Sequence, residues 1–204
     1  MALHENEIAM ARKSLPEYLT LAKLGVDRGG LGCPTATVLF AVIDSIGSCH
    51  RKHPTFTVRV GDADLAITQQ DHHLRILNAP YFGGNNGCDL TTVQINRIYR
   101  LARSPLTHNA VVGSGCLLWE GSPARPAIEE LDGVIHISLP ALLKRCAEAV
   151  DRFLPVADQI IPVSLAGQDL RDLEDAYGGQ IQAAMARLDL SGLQSMPVTG
   201  MQRP

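Results

Sequence analysis

The sequence predicts a predominantly helical α+β fold, in which a helical core carries two small β-hairpin elements. Several segments repeat apolar residues at helical spacing, and the turn signals Gly-Asp and Asp-Gly each stand between short apolar runs. A chain of 204 residues that is 46% apolar can bury one substantial core. We therefore expect a single globular domain over residues 1–188, followed by a mobile tail over 189–204, where periodicity is lost.

Two helices are predicted to open the chain. The first covers residues 5–24, with Pro16 bending or restarting it, and the run GVDRGGLG ends it. The second covers residues 34–50, where a proline suits the first turn. Its broad apolar stripe consists of Val38, Leu39, Val42, Ile43 and Ile46. We expect this second helix to be the centre of the core.

The first hairpin is predicted around Gly61 and Asp62, between the runs FTVRV and ADLAI. A short helix over 69–78 follows it and leads into the Gly-rich loop APYFGGNNGCD. Thr91 or Thr92 then caps a helix that runs to about Arg103.

The last third predicts a second β element and two helices. The run CLLWEG is a candidate strand, and AIEEL-DG-VIHISL has the signal of a tight hairpin. Ser138 caps a helix with a clear apolar stripe. The run PVADQIIPVSLAG is predicted to be a connector, and residues 168–188 a final helix.

Composition excludes several classes of protein. No apolar run reaches the roughly 18 residues that a membrane span needs, and the N-terminal run has acids where a secretory signal has bases, so we expect a cytoplasmic protein. Net charge −3 and a pI near 6.1 argue against a protein that coats DNA. Five scattered cysteines without CxxC predict free thiols, and we expect neither a metal nor a cofactor.

The stretch RSPLTHN carries the strongest chemical signal. Between Leu90 and Trp119 there are three arginines and one histidine but no acid. The members of this basic zone are Arg97, Arg100, Arg103 and His108. A structural role is available, because bases near a helix end complement its dipole. Alternatively, Pro105 redirects the chain so that Arg103 and His108 face one groove, although a straight helix would turn them about 140° apart.

Arg103 to His108 resembles the R-x4-6-H motif of HEPN domains. The resemblance implies a metal-independent endoribonuclease that acts in RNA processing or defence as a homodimer, since one histidine cannot readily be both acid and base. Arg103 would clamp the phosphate and His108 would move the proton. The neighbouring candidate substrate-binding residues are Arg97, Arg100, Ser104 and Asn109.

Two alternatives remain open at this point. In the first, the same residues hold together a non-catalytic HEPN-like or other interaction protein. In the second, the basic stripe and the Gly-rich loop bind a small molecule or a nucleotide. Asp71-His72-His73 and the run CHRKH suggest metal ligands, but the further acids or second cluster that such sites need are missing from the sequence.

Overall fold

The computed structural model describes residues 3–83, 90–121 and 125–163, with side chains from residue 8 onward. Over these ranges the protein has the predicted fold class, a predominantly helical α+β arrangement with two small sheets. The predicted final helix over 168–188 and the tail over 189–204 lie outside the described residues.

The core is organised around the second helix, as the apolar stripe predicts. Helix α1 (Leu3–Arg28) continues through Pro16, and Gly29 and Gly30 then turn the chain with positive φ angles. Helix α2 (Gly32–Cys49) follows, and it packs against α1, a 3₁₀-helix (Gln70–Asn78) and helix α5 (Leu139–Phe153). The inward side of α2 is fully buried, which confirms the predicted core helix.

Helix α2 also has the length and composition of a membrane span, with 18 residues and a mean hydropathy of 1.3. Half of it is buried by its neighbours within the fold. The central helix of a hydrophobic core has the same length and composition.

Two small sheets form at the predicted turns. Strands β1 (Val58–Val60) and β2 (Ala63–Leu65) make the first hairpin. The second sheet has the order β3-β5-β4, and its residue ranges are Cys116–Trp119 for β3, Ile128–Leu131 for β4 and Val134–Ser138 for β5. Strands β4 and β5 form the predicted hairpin, in which Asp132 and Gly133 have the positive φ angles of a two-residue turn. Strand β3 adds to β5 in parallel, which makes the second element a three-stranded sheet.

The helix predicted to end near Arg103 extends to Asn109. Thr91 is the N-cap of helix α3 (Thr92–Ile98), which was one of the two predicted caps, and it forms a reciprocal capping box with Gln94. A π-helical turn (Tyr99–Arg103) then leads directly into helix α4 (Ser104–Asn109).

The π-helical turn explains why Pro105 does not end the helix. Pro105 has no N–H for the carbonyl of Leu101, and in an α-helix its ring would clash with that carbonyl. The wider turn accommodates the ring, and the N–H of Gly113 donates to the Leu101 oxygen at 2.6 Å. The predicted break at Pro105 is therefore wrong, because a residue from the following loop replaces the missing donor.

The C-terminal part of the described chain differs from the prediction in two details. Ser138 stands at the N-cap of α5, but within the described ranges its hydroxyl has no hydrogen-bond partner. The predicted connector after α5 contains short helical turns, at Leu154–Val156, Ala157–Ile160 and Ile161–Val163. Ala157, Ile160 and Ile161 in these turns are buried in the core.

Candidate functional site

Arg103 lies in a buried charge cluster, which we define as Asp44, His73 and Arg103. The Arg103 guanidinium donates to Asp44 Oδ2 at 2.7 Å and lies 5.4 Å from the ring centroid of Tyr99. The other carboxylate oxygen of Asp44 lies 3.1 Å from His73 Nδ1. Only 10% of the Arg103 side chain and 5% of the His73 side chain are exposed. The cluster joins three elements, α2, the 3₁₀-helix and the π-helical turn.

The electrostatics of the cluster are those of an internal ion pair. Burial alone would raise the pKa of Asp44, but hydrogen bonds and charge interactions with His73 and Arg103 outweigh it and hold that pKa below its ordinary value. Asp44 therefore stays ionised and neutralises Arg103. Because His73 Nε2 is buried without a hydrogen-bond partner among the described residues, it offers substrate no accessible atom.

The structure does not bring Arg103 and His108 together. His108 is exposed on the last turn of α4, and within residues 90–121 no hydrogen bond or ion pair joins it to Arg103. The chain stays helical through Pro105, so the predicted break does not occur there. A phosphate could engage Arg103 only by displacing or sharing Asp44.

The other predicted substrate-binding residues are dispersed. Arg97 is half-buried and binds both Glu130 and the carbonyl of Gly133, so it fastens α3 to the β4–β5 hairpin. Arg100 and Asn109 are exposed, while Ser104 is half-buried. The residues of the basic zone therefore do not form one site. Arg97 holds two elements together, Arg103 is buried, and Arg100 and His108 lie on the surface.

A second basic region is formed by residues that are distant in the sequence. A cavity of about 310 Å³ opens between α5, the short 3₁₀-helix Pro80–Phe82 and the segment before β4. We call it the basic pocket. Its charged lining consists of Arg125, Lys144, Arg145, Arg152 and Glu148, and Phe82 and Gly83 contribute to its wall. Four cations against one carboxylate leave the pocket a formal charge of +3, on a chain whose net charge is −3.

Backbone carbonyls position two of the four cations. Arg145 donates to the carbonyl of Phe82 at 3.0 Å, and Arg152 donates to those of Pro80 and Tyr81 at 2.7 and 3.1 Å. These bonds orient the guanidinium groups, and a carbonyl is a dipole that carries no net charge. Glu148 is 3.8 Å from Arg152, at the limit of an ion pair between half-exposed side chains.

Lys144 and Arg125 complete the pocket from two sides. Lys144 is exposed and makes no hydrogen bond or ion pair with any residue in the described ranges. Arg125 binds Glu129 at 3.3 Å, and its guanidinium lies 4.3 Å above the ring of Trp119. The pocket therefore contains a mobile ammonium group and three oriented guanidinium groups, the donors that suit a multiply charged oxyanion.

Sequence reasoning missed both regions. Asp44 carried a signal, since it is an acid inside the apolar core helix, but its partners are 29 and 59 positions away. The pocket left a weaker trace, the pair Lys144-Arg145 with Arg152 two turns later on one helix. Arg125 had none.

The chain was compared with family models, with curated proteins and with solved structures, and none of these matches it.

Proposed function

We propose that the protein binds a small phosphate-bearing molecule in the basic pocket. The observation that carries this proposal is that four cations and one carboxylate line a single cavity of about 310 Å³. Like charges around one cavity repel one another, and a multiply charged anion relieves that repulsion. The volume lies at the lower end of the range for small-molecule sites.

The arrangement favours phosphate over a monovalent anion. Arg145 and Arg152 are already oriented by the carbonyls they bind, so little conformational entropy is lost when they also contact an oxyanion. Their planar groups match two oxygens at once, and the ammonium of Lys144 adapts to a third.

The competing functions have weaker geometric support. The ribonuclease hypothesis needs Arg103 at a phosphate, but its guanidinium is bound to Asp44. The RNA partner, the homodimer and the interaction-protein alternative stay predictions.

The proposal is tested by calorimetric titration with inorganic pyrophosphate at low ionic strength. We expect binding by the wild type, and about tenfold weaker binding by Lys144→Ala, since one charge-assisted contact is lost. The matched control is Lys13→Ala, which removes an exposed lysine of α1 outside the pocket and should leave the affinity within about twofold. Absence of wild-type binding, or equal losses in the two variants, would reject the proposal.

A further inference from the structure

Trp119 offers a flat aromatic surface next to the basic pocket. It is the last residue of β3 and is 41% exposed, although tryptophan is among the residues whose burial stabilises a fold most. Its neighbours on the outer face of the sheet include Leu117, which is 50% exposed. Both side chains are therefore partly accessible to solvent.

The indole of Trp119 is held in a fixed orientation. Its Nε1–H donates to His136 Nδ1 at 3.0 Å, across the parallel pairing of β3 with β5. The two ring planes are inclined by only 19°, with centroids 6.4 Å apart. Because the indole N–H is only a donor, the Nδ1 of His136 must be its acceptor, and the hydrogen bond determines the plane of the tryptophan ring. A ligand ring that stacks there need not order a loose side chain first.

Arg125 connects this aromatic surface to the basic pocket. Its guanidinium lies 4.3 Å from the centroid of the Trp119 ring, and the same side chain lines the pocket. Its only ion pair within the described ranges, with Glu129 at 3.3 Å, involves a side chain that is 43% exposed, and such pairs are weak. Arg125 can therefore contact a phosphate while a planar group stacks against it or against the indole.

From this juxtaposition we infer that the phosphate-bearing ligand is a nucleoside monophosphate whose base stacks at Trp119 and Arg125. The inference rests on the proposed function, and it adds the chemical class of the ligand. Any of the nucleobases can stack on an aromatic side chain or on arginine. This geometry therefore selects a nucleobase without selecting which one. The cavity of about 310 Å³ would hold the phosphate while the base stacks beside it at Trp119, and this single phosphate site favours a free nucleotide over a strand.

The test compares AMP with ribose 5-phosphate, two ligands that share the sugar phosphate and differ in the base. Trp119 is the only tryptophan of the chain, so its fluorescence reports this site alone. We expect AMP to quench that fluorescence and to bind about tenfold more tightly than ribose 5-phosphate. Calorimetry with Trp119→Ala should show equal, weak binding of both ligands, and Trp119→Phe should restore part of the preference.

The matched control is Tyr18→Ala, which removes a similarly exposed aromatic residue from α1 and should retain the full preference for AMP. Circular dichroism of the Trp119 variants establishes that the fold is intact. If AMP and ribose 5-phosphate bind the wild type equally, the base-stacking inference is overturned and the proposed function stands. If neither ligand nor pyrophosphate binds, the proposed function itself fails.

A short oligoadenylate distinguishes a free nucleotide from a strand. We expect a tetranucleotide to bind no more tightly than AMP. A gain well above tenfold would overturn the assignment to a free nucleotide, because further bases would then contact the protein outside the pocket.

Discussion

The buried charge cluster and the basic pocket both contain arginine, but they treat its charge in opposite ways. In the cluster, Arg103 is nearly inaccessible and Asp44 neutralises it at 2.7 Å. In the pocket, four cations face one carboxylate, and two of the guanidinium groups are held by neutral carbonyls. A charge that is paired and enclosed inside the protein contributes to the fold, while charges that line an open cavity are accessible to a ligand. This contrast predicts that substitutions in the cluster change stability and that substitutions in the pocket change binding.

The largest effect is expected from Asp44→Ala. It leaves the Arg103 guanidinium buried without its counter-ion, a change that typically costs about 3–5 kcal/mol of unfolding free energy. Urea denaturation at pH 7 measures this loss. The control Asp27→Ala removes the carboxylate of an exposed ion pair with Lys23 and should cost no more than about 1 kcal/mol. Equal costs in the two variants would show that Arg103 does not depend on Asp44.

The next effect concerns a buried histidine outside both regions. His50 is 1% exposed and stacks on Phe56 with ring centroids 3.8 Å apart, and neither ring nitrogen has a hydrogen-bond partner among the described residues. Burial, assisted by the nearby His53, lowers the pKa of His50 to about 3. The unfolded chain, with an ordinary histidine pKa near 6.5, therefore binds a proton that the folded chain does not.

Stability should consequently fall as the pH falls from about 6.5 toward 3, by about 1.6 kcal/mol between pH 6.5 and pH 5. The variant His50→Phe should lack this pH-dependent loss of unfolding free energy, because phenylalanine binds no proton. Its ring should also fit among the aromatic neighbours of His50. Urea denaturation of both proteins at pH 5 and pH 6.5 measures the difference. His108→Ala, which removes an exposed imidazole, should retain the wild-type loss. A His50→Phe profile parallel to that of the wild type would refute this assignment.

A smaller effect on stability, with a clear effect on ligand binding, is expected in the pocket. Lys144→Ala removes a side chain without a described partner and lowers the local charge from +3 to +2, so we expect unfolding free energy within about 0.5 kcal/mol of the wild type. Pyrophosphate at 100 times its dissociation constant should stabilise the wild type by about 2.7 kcal/mol. At that same concentration the variant should gain about 1.4 kcal/mol, since its affinity is expected to be tenfold lower. A large loss of unfolding free energy in Lys144→Ala would show that Lys144 stabilises the fold, as the residues of the buried charge cluster do.

The contrast also explains which features the sequence could predict. Helix α2, both hairpins and the cap at Thr91 depend on neighbouring residues, and local patterns predicted all of them. Asp44 and Arg103 meet across 59 positions, and Arg125 reaches α5 only because the sheet packs there, so no local pattern could pair them. Pro105 removes one helical hydrogen-bond donor, and this loss predicted a break in the helix. The break does not occur, because the N–H of Gly113 donates to the Leu101 carbonyl instead.

The smallest effect is expected from substituting His108, although the stretch RSPLTHN carried the strongest chemical signal in the sequence. His108 is exposed, and Arg103 is bound to Asp44, so the two groups do not share a phosphate in this arrangement. We therefore expect wild type and His108→Ala to cleave RNA in chelator at the same negligible rate, and to bind pyrophosphate equally. Cleavage by the wild type that His108→Ala abolishes would support the ribonuclease hypothesis. Such cleavage would also require Arg103 to exchange Asp44 for a phosphate. The variant Asp44→Asn keeps the shape of that side chain and removes its charge, so it should then increase the rate of RNA cleavage.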